Sequence, residues 1–106
     1  MSTLPGQPLL TVVIPVYNEE GILREAVTSL REAIAAHGWD CEILLAENGS
    51  RDSTVTIGAS LSEEFAEVEM FSCAEPNYGA ALREGILRAR GTFVICDEID
   101  LCDVDF

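Results

Sequence analysis

Four short apolar runs alternate along this chain with three stretches of helical periodicity, and that alternation leaves few architectures open. The runs are Leu9 to Val16 (LLTVVIPV), Cys41 to Ala46 (CEILLA), Val68 to Cys73 (VEMFSC) and Thr92 to Cys96 (TFVIC). The first is continuous and rich in β-branched residues, as a central parallel strand is when both its faces are covered. Pro15 has no N–H to give to a ladder, so regular pairing is expected to stop there. Between the runs, Gly21 to Ala36, Thr54 to Ala66 and Gly79 to Arg90 repeat at helical spacing. The expected inward stripes are Ile22, Ala26, Leu30 and Ile34 with Leu23 and Val27 beside them, then Ile57, Leu61 and Phe65, then Leu82, Ile86 and Ala89. Asn18 reads as the N-cap of the first helix and Asp52 or Ser53 as that of the second. Gly38 reads as a left-handed C-terminal stop.

The order β-α-β-α-β-α-β, with connections of helical length, dictates an α/β fold: a parallel β-sheet with helices on both faces and right-handed crossovers. The 106 residues suffice for one small domain with a core. Residues 1–8, with two prolines and a glycine, read as a flexible lead-in, and 9–106 as the domain. A hydrophobic content of 48% argues against disorder. The net charge is −13 and every basic residue is an arginine. Such a surface repels nucleic acid and anionic membranes, and an anionic small substrate would need a divalent ion. Cys41, Cys73, Cys96 and Cys102 form no CxxC pair and no zinc spacing with His37, so they read as reduced core or near-core thiols. No basic region precedes the first apolar run, and no run is long enough to span a bilayer. The expected location is the cytoplasm, with the cytoplasmic face of a membrane as the alternative.

Parallel sheets bind ligands outside the carboxyl ends of their strands. Four polar turns lie at those ends: Tyr17 to Glu20, Glu47 to Asp52, Pro76 to Gly79, and Asp97 to Asp100. The last opens an acidic run of Asp97, Glu98, Asp100, Asp103 and Asp105. Carboxylates this close repel one another unless a cation or solvent offsets them, and hard oxygen ligands suit Mg²⁺ or Mn²⁺. A solvated acidic tail is the plainer reading of the same residues.

Taken together, the turns resemble the nucleotide-sugar glycosyltransferases of family 2, with the GT-A fold, in a flavour similar to dolichyl-phosphate-mannose synthase. Val12-Val13-Ile14-Pro15-Val16-Tyr17-Asn18-Glu19-Glu20 is similar to that family's opening strand and turn. Glu47-Asn48-Gly49-Ser50-Arg51-Asp52-Ser53-Thr54 is similar to its D-D-x-S-x-D-x-T. The run Asn77-Tyr78-Gly79-Ala80-Ala81-Leu82-Arg83-Glu84-Gly85-Ile86 is similar to its N-x-G helix start. Glu98-Ile99-Asp100 stands where the family has its D-x-D metal motif.

The resemblance implies strand order 3-2-1-4 with Thr11 to Ile14 central. It implies a nucleotide site built from Pro15, Tyr17, Asn18, Glu19, Glu47, Asn77 and Gly79. There Glu47 accepts from base N–H groups and Tyr17 packs on the base. It implies that Glu98 and Asp100 hold Mg²⁺ or Mn²⁺ against the diphosphate of a nucleotide-diphosphate sugar, for an inverting transfer. The chain departs from the pattern at Asn48, where the second paired acid is absent, and at Glu98, which opens the metal motif with glutamate; Asp97-Glu98 offers a competing register.

In the family the acceptor half and the general base lie downstream of this point. The chain is therefore expected to be the N-terminal, nucleotide-binding half, with acceptor and catalytic base unassigned. A non-catalytic nucleotide-binding or assembly module is the alternative. A phosphoacceptor receiver domain would need a lysine late in the sheet, and the chain has none. An open edge after the fourth strand is expected to drive homo-oligomerisation.

Overall fold

The computed structural model describes residues 7–73 and 77–99. In chain order its elements are β1 (Leu10–Val16), α1 (Leu23–Ala36), β2 (Cys41–Glu47), α2 (Thr54–Glu64), β3 (Val68–Ser72), α3 (Tyr78–Arg88) and β4 (Phe93–Cys96). The strands form one parallel sheet in the order β3-β2-β1-β4, as expected, with β1 paired on both sides.

Every residue of β1 is buried, because alternate side chains serve two separate layers. Leu10, Val12, Ile14 and Val16 pack with Leu23, Val27, Leu30 and Ile34 of α1, and with Ile43, Leu45, Leu61 and Val68. Val13 packs the opposite way, with Leu44, Ala46, Phe71 and Ala81 of α3. Each large aliphatic side chain buried this way contributes about 1.5–3 kcal/mol. The lead-in ends on a seated residue: Pro8 is buried, and its carbonyl accepts from Thr92 N at 3.2 Å.

Several local expectations are corrected. The β1–β2 pairing runs through Pro15↔Ala46 to Val16↔Glu47 rather than stopping at the proline. The reason is parity. The carbonyls of Leu9 and Val13 accept from Phe93 N and Asp97 N on the β4 side, whereas that of Val16 accepts from Asn48 N on the β2 side. Pro15 shares the parity of Val13, so its missing N–H faces the β4 side beyond the end of that ladder.

In α1 the buried stripe is Leu23, Val27, Leu30 and Ile34, and Ile22 is exposed at the N-cap position. Asn18 is not a cap. It takes a left-handed conformation with φ 51°, and the helix begins five residues later. In α3 the buried residues are Ala81 and Gly85, whereas Ile86 lies exposed. Gly38, with φ 72°, follows the α1 C-cap as expected. Cys41 and Cys73 are partly buried, but Cys96 is exposed. Burial, then the carboxylates of Glu42, Asp40 and Glu67, push the Cys41 thiol up to about 12, so it is neutral and inert.

Two helical glycines should respond in opposite ways to alanine. At Gly85 a Cβ would press into the buried Val13 side chain, which has no room to retreat. Gly85→Ala should therefore destabilise by about 1–3 kcal/mol despite alanine's better helix propensity. At Gly58 the Cβ would meet only the Met70 thioether, at the end of a flexible, partly buried side chain. Gly58→Ala should be neutral or gain up to about 1 kcal/mol. Urea melts of the two variants check this, and equal effects would refute the packing argument.

Candidate active site

The turn after β1 and the turn after β2 are tied to each other by reciprocal hydrogen bonds. Asn18 N donates to Ser50 Oγ at 2.9 Å, and Arg51 N donates back to Asn18 Oδ1 at 2.9 Å. Glu19 N donates to Thr54 Oγ1 at 2.8 Å, and Ser53 N donates to Glu20 Oε2 at 2.9 Å. Asp52 Oδ1 accepts from Thr54 N at 2.9 Å and from Thr54 Oγ1 at 2.5 Å, while Asp52 Oδ2 accepts from Glu20 N at 3.4 Å. The Thr54 hydroxyl bond foremost, with help from the Thr54 and Glu20 N–H groups, holds the Asp52 carboxyl below the usual carboxylate range.

A third connection runs to α3. Asn48 Oδ1 accepts from Asn77 N at 2.5 Å, and Asn77 Oδ1 caps the helix by accepting from Ala80 N at 3.0 Å. A fourth joins α3 to the end of β4, where Tyr78 Oη donates to Glu98 Oε1 at 2.8 Å. That bond, first of all, pushes the Tyr78 phenol up.

These ties frame a hollow of about 110 Å³ at the carboxyl end of the sheet, lined by Pro15, Val16, Tyr17, Glu19, Asn48, Tyr78, Glu98 and Ile99. Tyr17 and Tyr78 are the exposed rings of its wall, each about half accessible. Glu19 and Glu98 are its charged groups, and no arginine lines it among the described residues. A polyanion placed there meets negative charge, so its binding calls for a cation between.

Of the residues singled out in the sequence, Pro15, Tyr17, Glu19 and Glu98 meet around this hollow. Asn18 stands behind them as part of the clasp. Glu47 is only 2% exposed, and its Oε2 accepts from Ser50 N, so it braces its own turn and does not line the hollow. Asn77 serves as helix cap, and Gly79 is exposed in the first turn of α3, where a Cβ would come no nearer than 3.7 Å to Asn77 Oδ1. Asp97 accepts from Glu98 N at 3.0 Å and lines a different, apolar groove on the α1 face. Asp100, Asp103 and Asp105 lie outside the described residues. No group of three or more His, Cys, Asp or Glu gathers to hold a metal among the described residues. Asn48 and Tyr78 were not singled out as site residues in the sequence. The former stood out only as a lost charge, and the latter is the variable position of an N-x-G start.

The model of Glycosyl transferase family 2 matches residues 11–102. The chain belongs to glycosyltransferase family 2. Among curated relatives, it is 36% identical over 95 residues to an undecaprenyl-phosphate 4-deoxy-4-formamido-L-arabinose transferase of Pseudomonas aeruginosa (strain LESB58), covering 88% of this chain and 28% of that protein. It is 30% identical over 88 residues to the uncharacterized glycosyltransferase EpsJ of Bacillus subtilis (strain 168), covering 82% of this chain and 24% of that one. The family 2 chain thus spans about a quarter of the length of these relatives. Among solved structures, S. aureus TarS 1-349 superposes with a TM-score of 0.71 at 20% identity, over 86% of this chain and 27% of that one, a likeness of fold. No helix among the described residues is long and apolar enough to cross a membrane.

Proposed function

We propose that this chain binds the nucleotide-diphosphate sugar donor of a family 2 glycosyl transfer, in the hollow between Tyr17, Asn48, Tyr78 and Glu98. The observation that supports this best is that side chains from all four strand-end turns of a parallel sheet frame one hollow, either at its wall or one bond behind it. Tyr17 offers a ring face for the base, and the clasp of Asn18, Ser50 and Thr54 fixes the loop that carries it. Asn48 offers an amide at the wall, and Glu47, one residue behind, stiffens the turn.

The donor set suits a hard divalent cation. Glu98 brings a carboxylate to the hollow, oriented by the Tyr78 hydroxyl. One carboxylate is too few for Mg²⁺ or Mn²⁺; Asp100, which lies outside the described residues, and the donor's own phosphate oxygens would complete the set. When bound, such an ion neutralises charge on the departing nucleotide. In the reading carried from the name of the Pseudomonas aeruginosa relative, the acceptor is an undecaprenyl phosphate, and no described residue is assigned as the base that takes its proton.

Isothermal titration with UDP and with GDP, each with and without Mn²⁺, tests the donor reading. One nucleotide should bind at least about tenfold more tightly with the ion. Tyr17→Ala should weaken that binding by about 1–3 kcal/mol, the range for one base stacked on one ring. Absence of binding by both nucleotides in the presence of Mn²⁺ would overturn the proposal.

A further inference from the structure

Among the described polar residues that line the hollow, Asn48 alone is buried, at 6% exposure. Its position is set twice. Asn48 N donates to the Val16 carbonyl at 2.9 Å, which seats it beside the residue before Tyr17. Its Oδ1 accepts from Asn77 N at 2.5 Å. Only the oxygen of an amide can take an N–H, so that bond fixes which way the side chain faces. Nδ2 donates to no acceptor among the described residues. Every fully enclosed side-chain nitrogen or oxygen of those residues has a partner, so Nδ2 is not enclosed and opens on the hollow. The carboxylates of Glu19 and Glu98 at the same wall only accept, and Tyr78 Oη is spent on Glu98. Asn48 is also where the chain departs from the paired acids of the family pattern. An acid there would accept; the amide donates.

We propose that Asn48 selects the nucleobase, donating from Nδ2 to an exocyclic carbonyl of the base that lies on Tyr17. This rests on the donor reading above and adds to it the class of base. Both residues line one hollow of about 110 Å³, so a base on that ring has an edge at the amide. Uracil and guanine present an exocyclic oxygen, where cytosine and adenine carry an amine. Against an amine, Nδ2 meets donor with donor, and a nearly buried N–H group is left unpaired. The amide cannot turn over to serve the amine, because that would set Nδ2 against Asn77 N. The selected donor is therefore a uridine or guanosine diphosphate sugar.

Isothermal titration of the 106-residue chain with UDP against CDP, and with GDP against ADP, all in Mn²⁺, tests this. One pair should show a preference of at least about tenfold for the member with the carbonyl. Asn48→Asp keeps an acceptor for Asn77 N and exchanges the donor for a second acceptor. Its added charge weakens both members of a pair alike, so the readout is their ratio, which should fall about tenfold or more. Thermal melts show whether the variant is folded. A second measurement needs no variant: the 4-thio or 6-thio analogue of the preferred nucleotide, whose sulfur is the poorer acceptor, should bind wild type about threefold or more weakly than its parent. A smaller preference in wild type, an unchanged ratio in folded Asn48→Asp, or equal binding of the thio analogue overturns the assignment to Asn48 and leaves the donor reading standing. Absence of binding by all four nucleotides overturns both.

Discussion

Replacing Glu42 by leucine should lower stability by about 3 kcal/mol, although the residue belongs to no site and sits at the end of the molecule away from the hollow. Glu42 is 3% exposed in the middle of the sheet. Its Oε2 accepts from Thr11 Oγ1 at 2.7 Å and from Arg90 N at 2.6 Å, and its Oε1 from Arg90 Nε at 3.0 Å and Nη2 at 2.9 Å. Thr11 Oγ1 in turn accepts from Gly91 N at 2.8 Å. One carboxylate thus fixes β2, β1 and the turn that delivers β4. Removing it leaves the buried Thr11 hydroxyl and the part-buried Arg90 N–H without their acceptor, at about 1–3 kcal/mol for each unsatisfied buried group. For a domain of this size the loss corresponds to a fall in Tm of about 10–20 °C. Arg90→Ala should cost less than Glu42→Leu, about 1–2 kcal/mol, because the Arg90 N–H bond to Oε2 survives while Oε1 loses its two guanidinium bonds.

The pH dependence has a definite sign. Burial alone would raise the Glu42 pKa, but the Arg90 N–H, the Thr11 hydroxyl and the Arg90 guanidinium outweigh it and hold the carboxyl below its ordinary value. A depressed carboxylate stabilises fully above its unfolded pKa, and that contribution is lost as pH falls through the folded pKa. Urea melts at neutral and acid pH should show this loss in wild type and not in Glu42→Leu. A Glu42→Leu protein within about 0.5 kcal/mol of wild type at neutral pH would refute the account.

That network marks the limit of what the sequence discloses. The strands were legible because an unalternating apolar run such as Leu10–Val16 has few other destinations. The helices were legible as periods, but their phase was not always so. Ile86 looked inward because it is large and apolar, yet α3 lies so close to the sheet that only Ala81 and Gly85 fit fully beneath it, Leu82 packs at the margin of the core, and Ile86 is turned outward. Close approach reverses the usual rule that the bulkiest apolar residue marks the buried face.

At the site, the position of the turns followed from the strand-end rule, while the tasks within them did not. Asn18 bonds Arg51, 33 residues away, and Asn48 bonds Asn77, 29 away. A run of polar residues shows its capacity to bond but not its partner. Glu47 illustrates the point: the acid that reads as a base-recognising group also has its Oε2 bonded to Ser50 N within its own turn. Glu42 stood in an apolar run where a lone acid already signals a buried partner, and its partner Arg90 was reachable only through the fold.

Mn²⁺ together with the nucleotide that binds should raise the melting temperature of the wild-type chain, and Glu98→Gln should remove most of that rise. At ligand concentrations about a hundredfold above Kd, mass action adds about 2.7 kcal/mol, or about 10–20 °C for a domain of this size. The argument rests on which acids reach the hollow. Glu98 lines it and is steadied by Tyr78 Oη, whereas Asp97 turns into the apolar groove on the α1 face. Asp97→Asn should therefore leave the rise nearly intact. With Asp100 in the proposed ligand set, Asp100→Asn should act like Glu98→Gln, while Asp105→Asn should change little. Tyr78→Phe keeps the carboxylate but frees its orientation, so it should weaken the ion-dependent part of nucleotide binding about 10–100-fold and spare the ion-independent part. Scanning calorimetry with Mn²⁺ alone, nucleotide alone and both together separates these terms. An equal rise in wild type and Glu98→Gln would show that the acids after β4 are solvated charge and that the hollow takes its ligand without them.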